Sequence, residues 1–324
     1  MASPNAVFTE MVTTTLRQHG KELSDIVSNN NALLSRLKQK KMMEIIDGGY
    51  EIAIPLEYAE NSTYQRYSGY DVLNINPSDV FTSAKFDWKN QAVHVTANGT
   101  ELRNNSGKNQ IIKLAKSRVK NAIRTFKNNM SQDVYSDGTA TNQINGLQAL
   151  VSDAGTGTVG GINSTTYAWW QNVVQSAASP LQGGAGITPS SSTIQSLMLP
   201  LWLELVRGED KPDLILMDQN YFTFYEESLT DLKRYTSSDE GKGGFVSLKY
   251  KTADVVYDSS DSGMPDNHMY FLTTDYIGVT THKDANMSTL EEKSSLNQDA
   301  VVIPIINQCN MTVSNRARHG VGKA

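Results

Sequence analysis

Cysteine is almost absent from the sequence, and its scarcity excludes several kinds of protein. The 324 residues contain one cysteine, Cys309, which excludes an internal disulfide framework and a zinc site held by cysteines. No apolar run reaches the roughly 18 residues of a membrane span, and the first residues show neither a basic n-region nor an apolar h-region. We therefore expect a protein that is made in the cytoplasm and has no membrane partner.

Signatures of catalysis and metal binding are also missing. The five histidines are scattered, and the sequence has no HExxH, no G-x-S-x-G and no G-x-x-x-x-G-K-[ST] motif. The net charge is −5, whereas a dedicated nucleic-acid binder is usually basic. The sequence therefore predicts a protein that is not an enzyme, with no catalytic residue, metal or cofactor. Any contact with DNA is expected to be weak and non-specific.

One glycine-rich stretch offers an alternative from a different class. Gly155, Gly157 and Gly160 satisfy the G-x-G-x-x-G spacing of dinucleotide-binding loops. The context argues against that role, because no helical pattern begins at 160–161 and no acidic residue stands about 20 positions later to hold a ribose. A soluble α+β enzyme that uses the Gly155–Gly161 loop for phosphate stays open as the alternative.

Residues 108–134 have the pattern of one long helix, which we call the spine helix. Apolar residues recur at three- and four-residue steps, which places them on one side of the helix. They are Ile112, Ala115, Val119, Ala122, Ile123, Phe126 and Met130. A line of cations, the cation stripe, follows one residue behind, roughly 100° around the axis. It consists of Lys113, Lys116, Lys120, Arg124 and Lys127. The stripe is either a solvated face or the partner of acidic groups on a neighbouring subunit.

The segment 48–79 has the pattern of an extended loop with little core of its own. Residues 50–56 alternate between apolar and other side chains, which predicts a strand, and Pro55 makes it an edge strand. A polar stretch follows and returns through a second apolar run at 72–75. Tyrosine suits an interface, because its ring is apolar while its hydroxyl still needs a partner. We predict contacts with a neighbouring subunit for the cation stripe and for Tyr50, Tyr58, Tyr64, Arg66, Tyr67 and Tyr70.

The rest of the pattern predicts a mixed α and β protein. Helical periodicity before residue 41 indicates an N-terminal arm, and a hairpin is predicted over 80–97. A Ser/Gly/Pro-rich connection at 175–192 marks a domain boundary before a helix at 194–207. Among the later segments, strands are predicted at 300–306 and 311–313. The chain ends in a basic tail: Arg316, Arg318, His319 and Lys323.

Taken together, these features resemble the major capsid proteins of tailed double-stranded DNA bacteriophages. The resemblance rests on the tyrosine-rich loop, the basic spine helix, the YSDGT turn, the GLQALV, VGGI and YAWW stretches, and the terminal DAVVIPI and MTVSNRARHGV segments. It implies the α+β tailed-phage capsid fold in four parts. These are an N-terminal arm (1–47), an extended loop (48–79), a peripheral domain (80–193 and 298–324) that contains the spine helix, and an axial domain (194–297).

The resemblance also implies a function and partners. Members of this family assemble as hexamers and pentamers into an icosahedral shell that encloses the double-stranded DNA genome in the virion. By analogy, we expect a separate scaffolding protein, a portal and a cement or decoration protein as partners. Some relatives cross-link through a lysine of the extended loop, but residues 50–77 contain no lysine, which favours non-covalent contacts. A nanocompartment shell of the same fold, which encloses protein cargo, is the nearest alternative.

Overall fold

The computed structural model describes residues 31–100, 108–229, 247–290, 293–294 and 299–324. Within these ranges the chain forms five α-helices, two six-stranded sheets and two two-stranded sheets. The helices are α1 (Ala32–Gln39), α2 (Lys108–Val134), α3 (Leu147–Leu150), α4 (Ile194–Leu205) and α5 (Gln219–Ser228). The part of the predicted arm before residue 31 lies outside the described residues.

The spine helix is confirmed as α2, which begins at Lys108 and ends at Val134. At 1.5 Å per residue its 27 residues span about 40 Å. Of its predicted apolar face, Val119, Ala122, Phe126 and Met130 are buried. The side chains at 112 and 115 lie outside the described ones. The middle of the helix packs in one apolar cluster with β4 (Lys89–Asn98) and β15 (Ala300–Val313), which form an antiparallel pair.

The first large sheet is built around β15. Its strands are β1 (Met43–Ile46), β4, β12 (Ile277–His282), β13 (Ser288–Thr289), β14 (Lys293–Ser294) and β15. β15 is one strand of 14 residues, so the prediction of two strands at 300–306 and 311–313 was wrong. Polar residues at 307–310 interrupt the apolar pattern, but they stay in the strand because β4 and β12 pair with this stretch from either side.

The second large sheet has the strand order β7-β16-β11-β8-β10-β9. Its strands are β7 (Val173–Ser176), β8 (Leu214–Met217), β9 (Ser247–Tyr250), β10 (Ala253–Tyr257), β11 (His268–Leu272) and β16 (Gly320–Lys323). Helix α4 buries Leu197, Leu201 and Leu205 in the same apolar cluster as residues of β8 and β11. A Cβ atom at Gly320 would lie 2.7 Å from Leu201 Cδ1, so this strand needs glycine where the helix crosses it.

Strand pairing does not follow the predicted domain limits for five strands. β7 and β16 belong to the second sheet, although both were assigned to the peripheral domain. β12, β13 and β14 belong to the first sheet, although all three were assigned to the axial domain. Most of these pairings join strands far apart in sequence, which local composition does not encode. The limits of the four parts therefore stay a prediction. The sheet to which each strand belongs indicates where those limits differ from the strand pairing.

The described end of the predicted arm lies in the core. Leu33, Leu34 and Leu37 of α1 are fully buried, and β1 pairs in parallel with β12. Asn31 caps α1 by accepting a hydrogen bond from Leu33 N at 2.9 Å, and its amide donates to Ser131 Oγ of the spine helix at 3.2 Å. The described part of the predicted arm therefore packs as part of the body of the protein.

Candidate subunit interface

The extended loop is framed by two paired strands, β2 (Glu51–Glu57) and β3 (Phe81–Asp87). Their register runs from Glu51 opposite Asp87 to Glu57 opposite Phe81. The predicted hairpin over 80–97 was wrong, because β3 pairs with β2 while β4 pairs with β15. Asn310 of β15 donates to Asp87 O at 2.7 Å, which holds the chain where it turns from one sheet to the other. The loop therefore spans 51–87 and is longer than the sequence predicted.

The base of the loop is anchored in the core, while its tip is not. Ile52 and Leu56 of β2 and Ala84 and Phe86 of β3 are buried in the large apolar cluster of the chain. Residues 58–80 join the two strands without helix or strand. A two-stranded ribbon is marginal in water by itself, so the buried base supplies the packing that fixes the loop to the body of the protein.

Most of the predicted contact residues lie on the exposed tip or beside the base. Tyr50, Tyr64, Arg66, Tyr67 and Tyr70 are all exposed in the single chain. Sequence reasoning assigned the apolar run at 72–75 to a returning strand, but its side chains are exposed too. The exposed fraction is 92% for Val72, 49% for Leu73 and 88% for Ile75. In the sequence, the polar residues Asp71, Asn74 and Asn76 stand beside and between these apolar residues, and this was the available signal that the run is exposed.

Tyr58 differs from the other tyrosines of the loop. Its ring is half-buried and stacks on Trp169 at a centroid distance of 5.5 Å, and its hydroxyl donates to Asp79 O at 3.0 Å. The structure thus gives Tyr58 a role inside its own chain, where it closes the base of the loop. Its contact with another subunit stays a prediction, as it does for the remaining residues.

Polar side chains hold the backbone of the tip. Gln65 donates to Val72 O at 3.1 Å and accepts from Asn74 N at 3.3 Å, which links the two sides of the loop. Asp71 accepts from Ser68 N at 2.7 Å at the far end. The abundance of Asn, Gln and Ser in this segment therefore serves local side-chain to backbone bonds. A loop ordered in this way loses less conformational entropy when a partner covers it.

The cation stripe is accessible where its side chains are described. Lys120 and Arg124 are exposed and Lys127 is half-buried, while the side chains of Lys113 and Lys116 lie outside the described ones. The spine helix carries seven basic residues and one acidic residue, whereas residues 51–87 carry six acidic and two basic residues. The two predicted contact surfaces therefore have opposite charge.

The glycine-rich loop is a turn that packs against β3. Gly160 and Gly161, with φ of 59° and 75°, form the two-residue turn between the short strands β5 (Thr158–Val159) and β6 (Ile162–Asn163). Gly160 O accepts from Lys85 N at 2.9 Å, and a Cβ at this position would lie 2.9 Å from Ala84 Cβ. The strand β6 follows the turn, so this loop does not lead into a helix N-terminus that could receive a phosphate, as a dinucleotide-binding loop does.

The predicted basic tail is partly interior. Arg316 is fully buried, and its guanidinium donates to Leu150 O at 2.7 Å, Ser164 Oγ at 3.0 Å, Trp170 O at 3.3 Å and Ser152 Oγ at 2.9 Å. Burial lowers the pKa of Arg316 to about 10, so it stays charged at neutral pH. The stretches noted in the sequence around GLQALV, YAWW and NRARHGV therefore meet at one side chain.

His319 is the second interior member of that tail. It is fully buried, and burial lowers the pKa of its imidazole to about 3, so the ring is neutral at ordinary pH. Sequence patterning missed both residues, because a run of cations near a terminus ordinarily indicates a solvated surface. The correction follows from β16, which enters the second sheet directly after this segment.

Metal binding and membrane insertion can be checked only within the described residues. There, no three or more His, Cys, Asp or Glu side chains are grouped so that they could hold a metal ion. In the same part of the chain, no helix combines the length and apolar character needed to cross a membrane.

Asp258 is a buried carboxylate that accepts a hydrogen bond from Tyr135 Oη at 2.6 Å.

No protein-family model and no curated protein sequence matches this chain. Solved structures do match. A chain of the cyanophage A-1(L) capsid asymmetric unit aligns with a TM-score of 0.61 and 14% identity, covering 88% of this chain and 92% of that one. The chain has the tailed-phage capsid fold. The capsid of a native GTA particle aligns over 89% of both chains with a TM-score of 0.59 and 11% identity. The capsid of Myoviridae phage XM1 aligns with a TM-score of 0.53 and 10% identity, covering 89% of this chain and 91% of that one.

The capsid fold confirms the α+β class and the resemblance at the level of the fold. The sequence identities of these structures, 10% to 14%, are too low for sequence comparison alone to reveal the shared fold. The alignments extend over nearly nine-tenths of the chain, so they include both large sheets and are not confined to one motif. Which residues contact another subunit stays a prediction at this point.

Proposed function

We propose that this chain is the major capsid protein of a tailed bacteriophage. In this role it assembles as hexamers and pentamers into an icosahedral shell around double-stranded DNA, and it resides in the virion. The observation that carries the proposal is the extended loop of a capsid-fold chain, which displays Tyr64, Tyr67, Tyr70, Val72 and Ile75 to solvent. Large apolar side chains exposed together in one short segment usually mark a site of protein association.

A second copy of the chain is the partner that fits this loop. The tip is held by its own polar bonds and projects from an anchored base, so it is ready to lie over another subunit. The cation stripe supplies a surface of opposite charge on each copy. Electrostatic complementarity of this type guides association and register, while apolar burial provides most of the affinity.

The other expected partners follow from the shell role. A scaffolding protein, a portal and a cement or decoration protein belong to the proposal by analogy with the family. The solved procapsid of satellite phage P4 includes a size determination protein, which illustrates such a partner for that phage. Because the net charge is −5, the packaged DNA contacts the chain only weakly and without sequence preference.

Two alternatives are distinguishable from this proposal. A nanocompartment shell of the same fold would enclose protein cargo, so its purified particles would contain protein and no genome. A soluble enzyme using the Gly155–Gly161 loop would bind nucleotides as a monomer. The packing of Gly160 against β3 favours a structural role for that loop, and the proposed function includes no catalytic residue or cofactor.

Negative-stain electron microscopy with light scattering tests the proposal. The chain is expressed alone and together with candidate scaffolding proteins encoded by neighbouring genes. Closed shells, or rings of five and six subunits, are the expected result, and nuclease-protected DNA in particles from infected cells would separate a virion from a nanocompartment. A monomer under every condition would overturn the proposal.

A further inference from the structure

His268 lies between two hydrogen-bond acceptors. Its Nδ1 is 2.7 Å from Asp266 O, and its Nε2 is 3.0 Å from Asp153 Oδ2. A neutral imidazole carries one N–H and can therefore satisfy only one acceptor, whereas the imidazolium donates from both nitrogens. The geometry around this ring thus fits the protonated form.

The charged and titratable groups around the ring favour the same form. Asp153 faces it from the segment after α3, and the carboxylate of Asp218 acts on it from the start of α5. Lys323 lies opposite His268 in the β11–β16 pair and acts on Asp153. Tyr270 stacks against the imidazole, with a centroid distance of 6.3 Å. Burial alone would lower the pKa of His268, but the two hydrogen bonds and the acidic neighbours outweigh it, and the net shift is upward.

The environment of Asp153 favours retention of that proton, although its side chain is 44% exposed. Its Oδ1 and the hydroxyl of Tyr270 are buried without a hydrogen-bond partner among the described residues. The hydrogen bond from His268 keeps the pKa of Asp153 low against the opposing effect of burial. If His268 kept its bond to the Asp266 carbonyl but lost the other proton, a nitrogen lone pair would face the carboxylate, and the half-buried charge would lose its donor.

The pair joins two parts of the fold. His268 begins β11, which is paired with β8 and β16 in the second sheet. Asp153 leads into the β5–β6 hairpin, whose turn accepts a hydrogen bond from Lys85 N of β3. The contact therefore connects the second sheet, through residues 152–163, to the base of the extended loop.

We propose that His268 and Asp153 form a proton-dependent latch that holds residues 152–163 against the second sheet and opens as pH rises. The inference stands on this contact and does not depend on the shell function. A histidine whose folded pKa exceeds its value of about 6.5 in the open state contributes fully below about pH 6.5. The contribution is then lost as pH rises through the folded pKa.

Two measurements on the full-length chain test the latch together. The ¹⁵N shifts of the histidine side chains between pH 5 and 9 give the pKa of His268 and show whether both nitrogens carry protons below it. Hydrogen exchange, corrected for the intrinsic rate, gives the opening constant of residues 152–163. Between pH 5.5 and 9 that constant is expected to rise about tenfold for each unit by which the folded pKa exceeds 6.5. Exchange in β8 serves as the reference and should not change.

The variant Asp153→Asn removes the charge and keeps the size of the side chain. It should lower the pKa of His268 and abolish the extra pH dependence of residues 152–163, while β8 keeps its protection. His268→Gln provides a second variant if the first folds poorly. The proposal would be overturned by a His268 ring that carries one proton throughout, by a pH-independent opening constant in the wild type, or by the same pH dependence in Asp153→Asn.

Discussion

Replacing Val72 and Ile75 together by serine separates the stability of the subunit from that of the assembly. These side chains are 92% and 88% exposed in the single chain, so the replacement should change its free energy of unfolding by less than about 0.5 kcal/mol each. If a second copy covers them in the shell, each contributes about 1.5–3 kcal/mol on full burial. The double variant should then lose about 3–6 kcal/mol per subunit, which raises the concentration needed for assembly by roughly two to four orders of magnitude.

Light scattering across a concentration series, with electron microscopy at each step, measures that threshold, and circular dichroism gives the Tm of the unassembled subunit. Ile52→Ala is the matched control, because this residue belongs to the same loop but is only 3% exposed. It should cost about 2–5 kcal/mol of subunit stability. Shells of the double variant at the wild-type threshold would refute the reasoning. A fall in Tm as large as that of the control would show that the tip packs within its own chain.

Three further predictions concern the stripe, the turn and the thiol. Lys120→Glu combined with Arg124→Glu should leave the subunit folded but prevent assembly, and normal particles would show that the stripe is only a solvated face. Gly160→Ala should destabilise the subunit in urea by about 1–3 kcal/mol more than Gly161→Ala, because both glycines have a similar positive φ but only the new Cβ at 160 meets β3. Equal losses would contradict this packing. Burial raises the pKa of Cys309 to about 12, so iodoacetamide should not modify the native chain at pH 8 but should modify it fully in denaturant. Rapid modification of the native chain would exclude the buried position.

Local periodicity predicted the elements whose burial or exposure depends only on their own sequence pattern. The spine helix needed only its own apolar spacing, and four of the five predicted apolar side chains that are described are buried. The exposed tip was also predictable, because tyrosines in a polar segment have no neighbours in sequence that could bury them. In both cases the signal lies within about 30 residues of chain.

Strand partners were not predictable in the same way. The chain passes from β3 to β4 through Trp88 alone, which looks like a hairpin turn in the sequence. In the structure β4 pairs with β15 instead, and at the junction the Asn310 side chain donates to Asp87 O and accepts from Asn145 N at 2.9 Å. This junction brings together three segments separated by up to 223 positions, and no local pattern specifies it. The burial of Arg316 was hidden for the same reason, since its acceptors lie about 150 residues earlier.

The corrected limits of the loop change the argument about covalent cross-links. Residues 50–77 contain no lysine, but the loop of the structure ends at Asp87 and includes Lys85. That lysine lies on β3 at the anchored base, where its ammonium pairs with Glu51 Oε1 at 2.6 Å. Between the strands, over 58–80, Arg66 is the only Lys or Arg. An amide bond that starts from a lysine of the tip is therefore not available, and we expect the tip to hold a second copy through apolar and polar contacts.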